Sequence, residues 1–508
     1  MSSRAAVTTL PGLAGLVLLA LGGCVVGPDY QPPATPRLPT NWEGANAAMP
    51  AVLPDPSAAS AADGTASGDD DGWANAGWWA SFNDPLLPAL IEDALTANYD
   101  LQRAVAAIGE ARAAQRRTQS GLFPTVDHST AYERGRGSQT LTSVGGGGTT
   151  GLSSASLSGD DRFTSQFAAG WEIDLFGKVQ RGIEAASAGV DAAAEAAAGV
   201  RLSLAAEVGR AYVDVRSLQQ RIDVTHRQIA SQQETVEIGR ARAQAGLGAG
   251  LDVVRAEAEL ATTEAQLPPL QAALAADIHR LGVLTGQPPA ALTARLVESA
   301  PIPVSAEALR LGIPADLIRR RPDIRNSERL LAQATANVGV AEADRYPTLS
   351  LNGTIGIGSR NLDKLANTDS LIWSIGPQLD IPVLDGGRRR AEVNVQQARV
   401  DQAAAAYQHT ILVALEDVEN ALAAYAEEVK RQAALARSVQ TSRDALALAT
   451  ELWVRGLTPF LDVLVAQRTL YTAEINLAVS EASLSTDLVT LYQAIGGGWD
   501  VRAGIAAR

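Results

Sequence analysis

The sequence predicts an α+β membrane protein made of two copies of one unit, in which a pair of barrel-like strands precedes a helix far too long for a globular domain. Three observations carry that prediction. First, residues 166–176 run into an alanine-rich stretch at 177–245, a break at 246–250 and Leu251-Asp252-Val253-Val254. Residues 378–384, 386–455 and 456–460, with Leu461-Asp462-Val463-Leu464, repeat the arrangement. The offset of about 210 residues exceeds solenoid periods, so the chain is a duplicated half-molecule rather than a repeat array. Second, strand-like runs of about ten residues alternate apolar with polar, the length of a tilted barrel strand with one face toward lipid. Third, no segment beyond the N-terminus offers the roughly 18 apolar residues of a membrane helix, so any crossing is made by strands.

The elements follow in order. Arg4 precedes an apolar run from Leu10 to Leu21, the length of a signal-peptide core, and residues 1–23 read as a signal peptide. Leu21-Gly22-Gly23-Cys24 reads as a lipidation box, whose cleavage leaves Cys24 as an N-terminus carrying S-diacylglycerol and an N-acyl chain. It is the only cysteine, which excludes an internal disulfide and a cysteine-based metal site. Residues 24–83 form an extended strap rich in Pro, Gly, Ala, Ser and Asp. Its Asp69-Asp70-Asp71 lacks a following acid at calcium-loop spacing and is a solvated linker, so no metal is expected. Trp73, Trp78, Trp79 and Phe82 then supply aromatic packing where the strap docks before Asp84-Pro85-Leu86-Leu87.

The first repeat spans 84–290. Leu90, Ala94, Leu101, Val105 and Ile108 lie at helical spacing, predicting one helix from Leu86 to Ser120 that Gly121 and Pro124 stop. Strands follow at about 124–134, where alternation is weak, and about 163–176, where Phe163, Phe167, Trp171, Ile173 and Leu175 alternate with Thr164, Gln166, Glu172 and Asp174. A long helix at 177–245 and a helix at 251–285 complete the unit. The second repeat, 301–498, has a helix from Ala306 to Asp344, strands at about 347–358 and 371–382, a long helix at 386–455 and a helix at 461–495, before a tail at 499–508. Pro377 has no N–H for a ladder, which predicts that its strand ends early or bulges there. The loops at 135–160 and 359–370 are polar surface loops; the glycine run at 145–148 links two strands without the lysine of a phosphate cradle.

Each long helix would measure roughly 100 Å at 1.5 Å per residue. The shorter returning helices must then pair end to end with the helices that begin at Leu86 and Ala306, giving a hollow helical cylinder that continues a strand barrel. Four strands cannot close a barrel, because the smallest filled barrels have eight, so closure needs further copies of the chain.

Composition excludes other classes. The net charge is −14 and basic runs are confined to Arg319-Arg320-Arg321 and Arg388-Arg389-Arg390, which argues against a nucleic-acid partner. His128, His226, His279 and His409 are scattered without a ligand pair, and no nucleophile elbow, phosphate loop or dinucleotide fingerprint occurs. No catalytic residue and no dissociable cofactor is expected.

Several local sequences, weak singly, are specific in this order: Val26-Gly27-Pro28-Asp29-Tyr30, Trp171-Glu172-Ile173-Asp174-Leu175-Phe176-Gly177, Ile313-Pro314 with Leu317-Ile318, Arg321-Pro322-Asp323-Ile324 and Leu384-Asp385-Gly386-Gly387-Arg388. Over about residues 24–498 the chain resembles the TolC-like, NodT-type outer membrane lipoproteins of tripartite efflux systems. The resemblance implies a homotrimer whose strands make a twelve-stranded outer-membrane barrel continued by a periplasmic helical tunnel. It implies a passive exit duct for drugs, toxic organics or metal ions, with outer-membrane lipid, a periplasmic adaptor and an inner-membrane resistance-nodulation-division pump as partners. It also puts a gate at the periplasmic mouth. Asp462 matches the first acidic position of a constriction ring, Asp252 is its equivalent in the first copy, and Val465 stands where some relatives carry a second acid. Trp453 and Thr458 fall at the aromatic and basic positions of a latch, although threonine cannot make the salt link. A first-turn Asp462 reads equally well as a helix N-cap. Gly248-Ala249-Gly250 is looser than Thr458-Pro459-Phe460, which suggests that one helix pair moves while the other stays fixed. A type I protein-secretion duct is the alternative within the duct class, and a structural envelope lipoprotein the alternative outside it, against which the alternating strands speak.

Overall fold

The computed structural model describes residues 25–33, 42, 78–135, 161–305 and 320–497. The signal peptide, Cys24, most of the strap with Asp69 to Trp73, the loop at 136–160, the segment at 306–319 with Ile313 to Ile318, and the tail lie outside the described residues. The chain divides into two compact units, each drawing segments from both repeats: residues up to 32, 110–190 and 329–404 in one, and 33–109, 191–328 and 405–508 in the other.

The first unit holds the strands β1 (Thr125–Arg134), β2 (Asp161–Ile173), β3 (Thr348–Ser359) and β4 (Leu371–Asp380), all antiparallel in the order β1-β2-β3-β4. Pairing runs residue for residue, so side chains sort cleanly by face. One row across the sheet is His128, Phe167, Ile355 and Trp373. Phe167, Ile355 and Trp373 are 52%, 56% and 70% exposed, an apolar face left open by the described residues. The next row, on the other face, is Asp127, Ala168, Thr354 and Ser374, with the Thr354 and Ser374 hydroxyls 2.8 Å apart. Gly356 permits the close approach of β2 and β3, since a Cβ there would meet the Ser165 carbonyl oxygen at 2.4 Å. The strand around Pro377 neither ends nor bulges. Pro377 pairs with Leu351 in unbroken register, at the cost of one ladder donor.

Both long helices start from an aspartate. In α3 (Lys178–Gln244) the Asp174 carboxylate accepts the Gln180 N–H at 2.9 Å. In α8 (Arg388–Val454) Asp385 accepts the N–H groups of Arg389 and Gly387 at 3.1 and 2.9 Å, which hold its carboxyl below the usual range. Both helices have 67 residues and contribute to both units.

The second unit is helical, and two of its helices, at 99–119 and 322–343, run on into the first. Leu86 to Ser120 forms two helices, α1 (Leu86–Ala97) and α2 (Tyr99–Gln119), because Asn98 turns extended and its side chain accepts the N–H groups of Asp100 and Leu101 at 2.8 and 3.0 Å. The expected helix at 251–285 is likewise two, α4 (Gly250–Glu264) and α5 (Leu267–Leu284). Pro268 cannot donate to Glu264 and its ring crowds that carbonyl, so the helix restarts at Leu267. Short α6 (Thr293–Leu296) follows. In the second repeat α7 (Pro322–Ala343) opens at Pro322, and the returning α9 (Phe460–Ala494) is unbroken.

Returning helices end on the starts of others. Asn98 Nδ2 donates to the Leu284 carbonyl at 3.0 Å, and Arg321 Nη1 donates to the Ala494 carbonyl at 3.0 Å while Nη2 reaches Asp323 and Asp417. Arg321-Pro322-Asp323 therefore joins α9 to α7. The core beside these joints is one cluster in which Trp78 stacks on Tyr492 at 5.6 Å and packs with Phe82, Leu90, Tyr212, Ile411 and Leu491. Gly209 admits Trp78, whose ring would lie 2.8 Å from a Cβ there. Burial raises the Tyr212 phenol, which donates to Asp84 at 2.8 Å as Asp84 caps α1.

Candidate functional site at the second helical turn

The two long helices end in the same motif. In α8 the Gly456 N–H bonds to Trp453 O at 2.9 Å and the Leu457 N–H to Leu452 O at 2.9 Å; in α3 Gly246 and Leu247 do the same with Ala243 and Arg242 at 3.1 and 2.8 Å. This closing pattern needs a left-handed residue, and Gly456 and Gly246 sit at φ +76° and +72°.

Beyond the shared motif the turns diverge. Pro459 occupies the N-cap of α9 in an extended conformation, with no side-chain cap bond. It directs Phe460 inward, where the ring is 3% exposed and 4.9 Å from that of Trp453. Val463 and Leu464 of α9 complete a cluster with Val236 of α3 and Ala256 of α4, so the second turn is plugged into the first repeat's hairpin. The first turn has no such plug: Leu247, Leu251 and Val254 are 71%, 57% and 61% exposed.

Asp462 is not the N-cap of α9. It lies in the first turn behind Pro459, and its exposed carboxylate is left to the solvent side while its N–H bonds to Pro459 O at 3.2 Å. Asp252 holds the same place in α4, with Arg255 at 3.9 Å. Val465 is exposed. Thr458 has a buried hydroxyl without a hydrogen-bond partner. Cys24 lies outside the described residues.

The basic group that meets Trp453 comes from the other repeat. Arg242, in the last turn of α3, sets its guanidinium 5.0 Å from the Trp453 ring centroid and donates from Nη1 to the Val454 carbonyl at 3.1 Å. Sequence reasoning missed Arg242 and Phe460. The available signal was that Arg242 is the only basic residue in the last turn of α3. Further along, Gln467 of α9 donates to Thr235 at 2.8 Å and Tyr471 meets Thr225 at 3.1 Å, a polar seam against α3. Within it Gln228 Nε2, Gln232 Oε1 and Gln467 Oε1 are buried without partners. Unsatisfied groups of this kind cost about 1–3 kcal/mol each, which makes the seam a weaker bond between helices than an apolar one.

The sequence profile of the outer membrane efflux protein family matches residues 90–287 and 313–497. The chain is 35% identical to nodulation protein T of Rhizobium leguminosarum bv. viciae over 490 residues, covering 96% of this chain and 93% of that protein. It is 31% identical to the solvent efflux pump outer membrane protein SrpC of Pseudomonas putida over 491 residues, covering 95% and 97%. The structure is similar to that of the outer-membrane channel OprN, with a TM-score of 0.81, 33% identity, and 94% and 100% of the two chains covered.

Proposed function

The chain belongs to the outer membrane efflux protein family and is an exit duct of the outer membrane; from that premise we propose that three copies form one duct, closed at its periplasmic mouth by the second helical turn. The observation that carries the trimer is the sheet: among the described residues the outer edges of β1 and β4 are unpaired and one face is apolar and exposed, so copies joined edge to edge satisfy the backbone and give that face to lipid. Three copies of four strands make twelve.

In this reading three Asp462 carboxylates converge in the closed mouth, where they attract cations and oppose anions. The latch is made by Trp453, Phe460 and Arg242, and Thr458 contributes no ion pair. Asp252 belongs to the hairpin that stays fixed. Cys24 carries the covalent lipid that adds an anchor in the outer membrane, and no dissociable cofactor takes part. The duct performs no reaction; an inner-membrane resistance-nodulation-division pump supplies the energy and a periplasmic adaptor joins the two. Cargo is drugs, toxic organics or metal ions rather than secreted proteins.

Asp462→Ala tests the mouth. Single-channel conductance should rise and cation preference fall; unchanged conductance and selectivity would remove Asp462 from the gate. Deleting the chain should sensitise cells to toxic small molecules and leave their secreted proteins unaltered, the reverse pattern pointing to a secretion duct.

A further inference from the structure

The motif Val26-Gly27-Pro28-Asp29-Tyr30 lies outside the proposed gate, in a built seat of its own. Arg181, in the first turn of α3, has a side chain only 5% exposed. Its Nε donates to the Val26 carbonyl at 3.1 Å; Nη2 donates to the Gly27 carbonyl at 3.1 Å and to Asp29 at 2.7 Å; Nη1 donates to Glu184 at 2.7 Å. The Val26 N–H bonds to the Phe176 carbonyl at 3.2 Å. Three glycines make the fit possible. Gly27 stands at φ +94°, and a Cβ on it would lie 2.4 Å from the Gly339 Cα of α7. A Cβ on Gly339 would press the Arg181 side chain at 2.8 Å, and one on Gly177 would meet Val25 at 2.8 Å.

Three of the four bonds that satisfy the buried guanidinium come from the strap. The strap that lies on the guanidinium also supplies the acceptors that replace its water, so the cleft and its occupant are matched. That occupant is an extended peptide presenting two carbonyls, no side chain at its closest approach, and a carboxylate two residues on. We propose that Gly177, Arg181 and Gly339 form a receptor site for the first residues of the mature strap. The site draws on α3 of the first repeat and α7 of the second, so the strap ties the two repeats together where the strands pass into helices. Arg181 is its positioning residue. The site's further consequence, that a lipid on Cys24 holds both repeats at once, rests on the acylation proposed above; the receptor site does not.

Hydrogen exchange of the full-length protein in detergent, followed at the amides of residues 25–33, tests this. Arg181→Ala should speed exchange of the Val26 amide at least ten-fold, and Gly339→Ala, which leaves every charge in place, should do the same. Asp29→Asn, whose side chain is otherwise exposed and which does not threaten folding, should speed it at least two-fold. Arg345→Ala breaks an exposed ion pair with Glu342 in the same unit and should leave the strap as it was. Wild-type exchange at Val26 in Asp29→Asn, or in a folded Arg181→Ala or Gly339→Ala, would overturn the proposal. So would strap exchange that rises only together with that of β2 and β3. The mass of the N-terminal peptide separates the two ideas: an unacylated Cys24 with a protected strap would end the lipid anchor and leave the receptor site standing.

Discussion

The two hairpin tips stop their long helices with the same hydrogen bonds and start the return helices with opposite chemistry. Gly248-Ala249-Gly250 leads into a first turn whose Leu251 and Val254 face solvent, whereas Thr458-Pro459-Phe460 leads into one that buries Phe460 against Trp453. Duplication thus preserved what the backbone needs and let side-chain anchorage diverge. The second tip buries Phe460 and Trp453 against the first, whereas the leading side chains of the first tip stay exposed and its α3 and α4 are joined by the Arg240–Glu257 ion pair; in the proposed gate the second tip is the one that is released. Its anchorage is also mixed in kind: an apolar plug at the tip, and a polar seam with unpartnered amides further along α9. A tight tip on a poorly satisfied seam is suited to two positions rather than one.

The largest effect that can break this comparison is expected from Trp453→Ala. Removing a buried aromatic costs about 3–5 kcal/mol, and here the loss falls on the plug. Conductance of purified channels and cell sensitivity to large antibiotics should both rise. Leu251→Ala, at the exposed counterpart tip, should stay within about 0.5 kcal/mol and alter neither. Equal responses would show that the tips are equivalent after all.

Arg242→Ala should act in the same direction and more weakly. It removes one cation–π contact and one hydrogen bond to a carbonyl at a half-exposed place, together about 1–2 kcal/mol. Because neither contact uses a carboxylate, opening by this route should depend little on salt compared with an ion-pair latch. Combined with Trp453→Ala it should add only what the bond to the Val454 carbonyl contributes, since the cation–π contact is already gone. Full additivity in single-channel recordings would separate Arg242 from the plug.

Sequence carried the parts of this architecture that are local. Strand alternation and the breaks that open at Gly246 and Gly456 are legible because a period of two and a left-handed φ each leave a signature within a few residues. The break at Asn98 and that before Pro268 were there to be read, and apolar periodicity on both sides hid them. Pro377 differs for another reason: a ladder with many other bonds carries one missing donor without breaking register, which no single segment states. Arg242 was invisible in the same way, since its partner lies 211 positions on in the other repeat. Contacts between copies of a duplicated unit are where local reading stops.

Away from the tips the repeats regain their likeness, and a smaller effect measures how far. Asp277 in α5 and Asp487 in α9 are equivalent positions, and burial pushes both carboxyls upward; Glu428 of α8 adds to it at Asp487. A carboxylate whose folded value is raised binds its proton more tightly when folded, so it disfavours the native state while charged. The stability it withholds returns as pH falls through the raised value and is complete below the ordinary carboxylate range. Asp277→Asn and Asp487→Asn should therefore each raise Tm near neutral pH, by about 1–3 °C, with the gain shrinking on acidification toward pH 4. Glu428→Gln should reduce the gain at Asp487, since it removes the like charge that adds to burial there. A gain at Asp487 alone would mean that the divergence of the tips extends down the whole of α9, and the fixed half of the molecule would then be the first repeat alone.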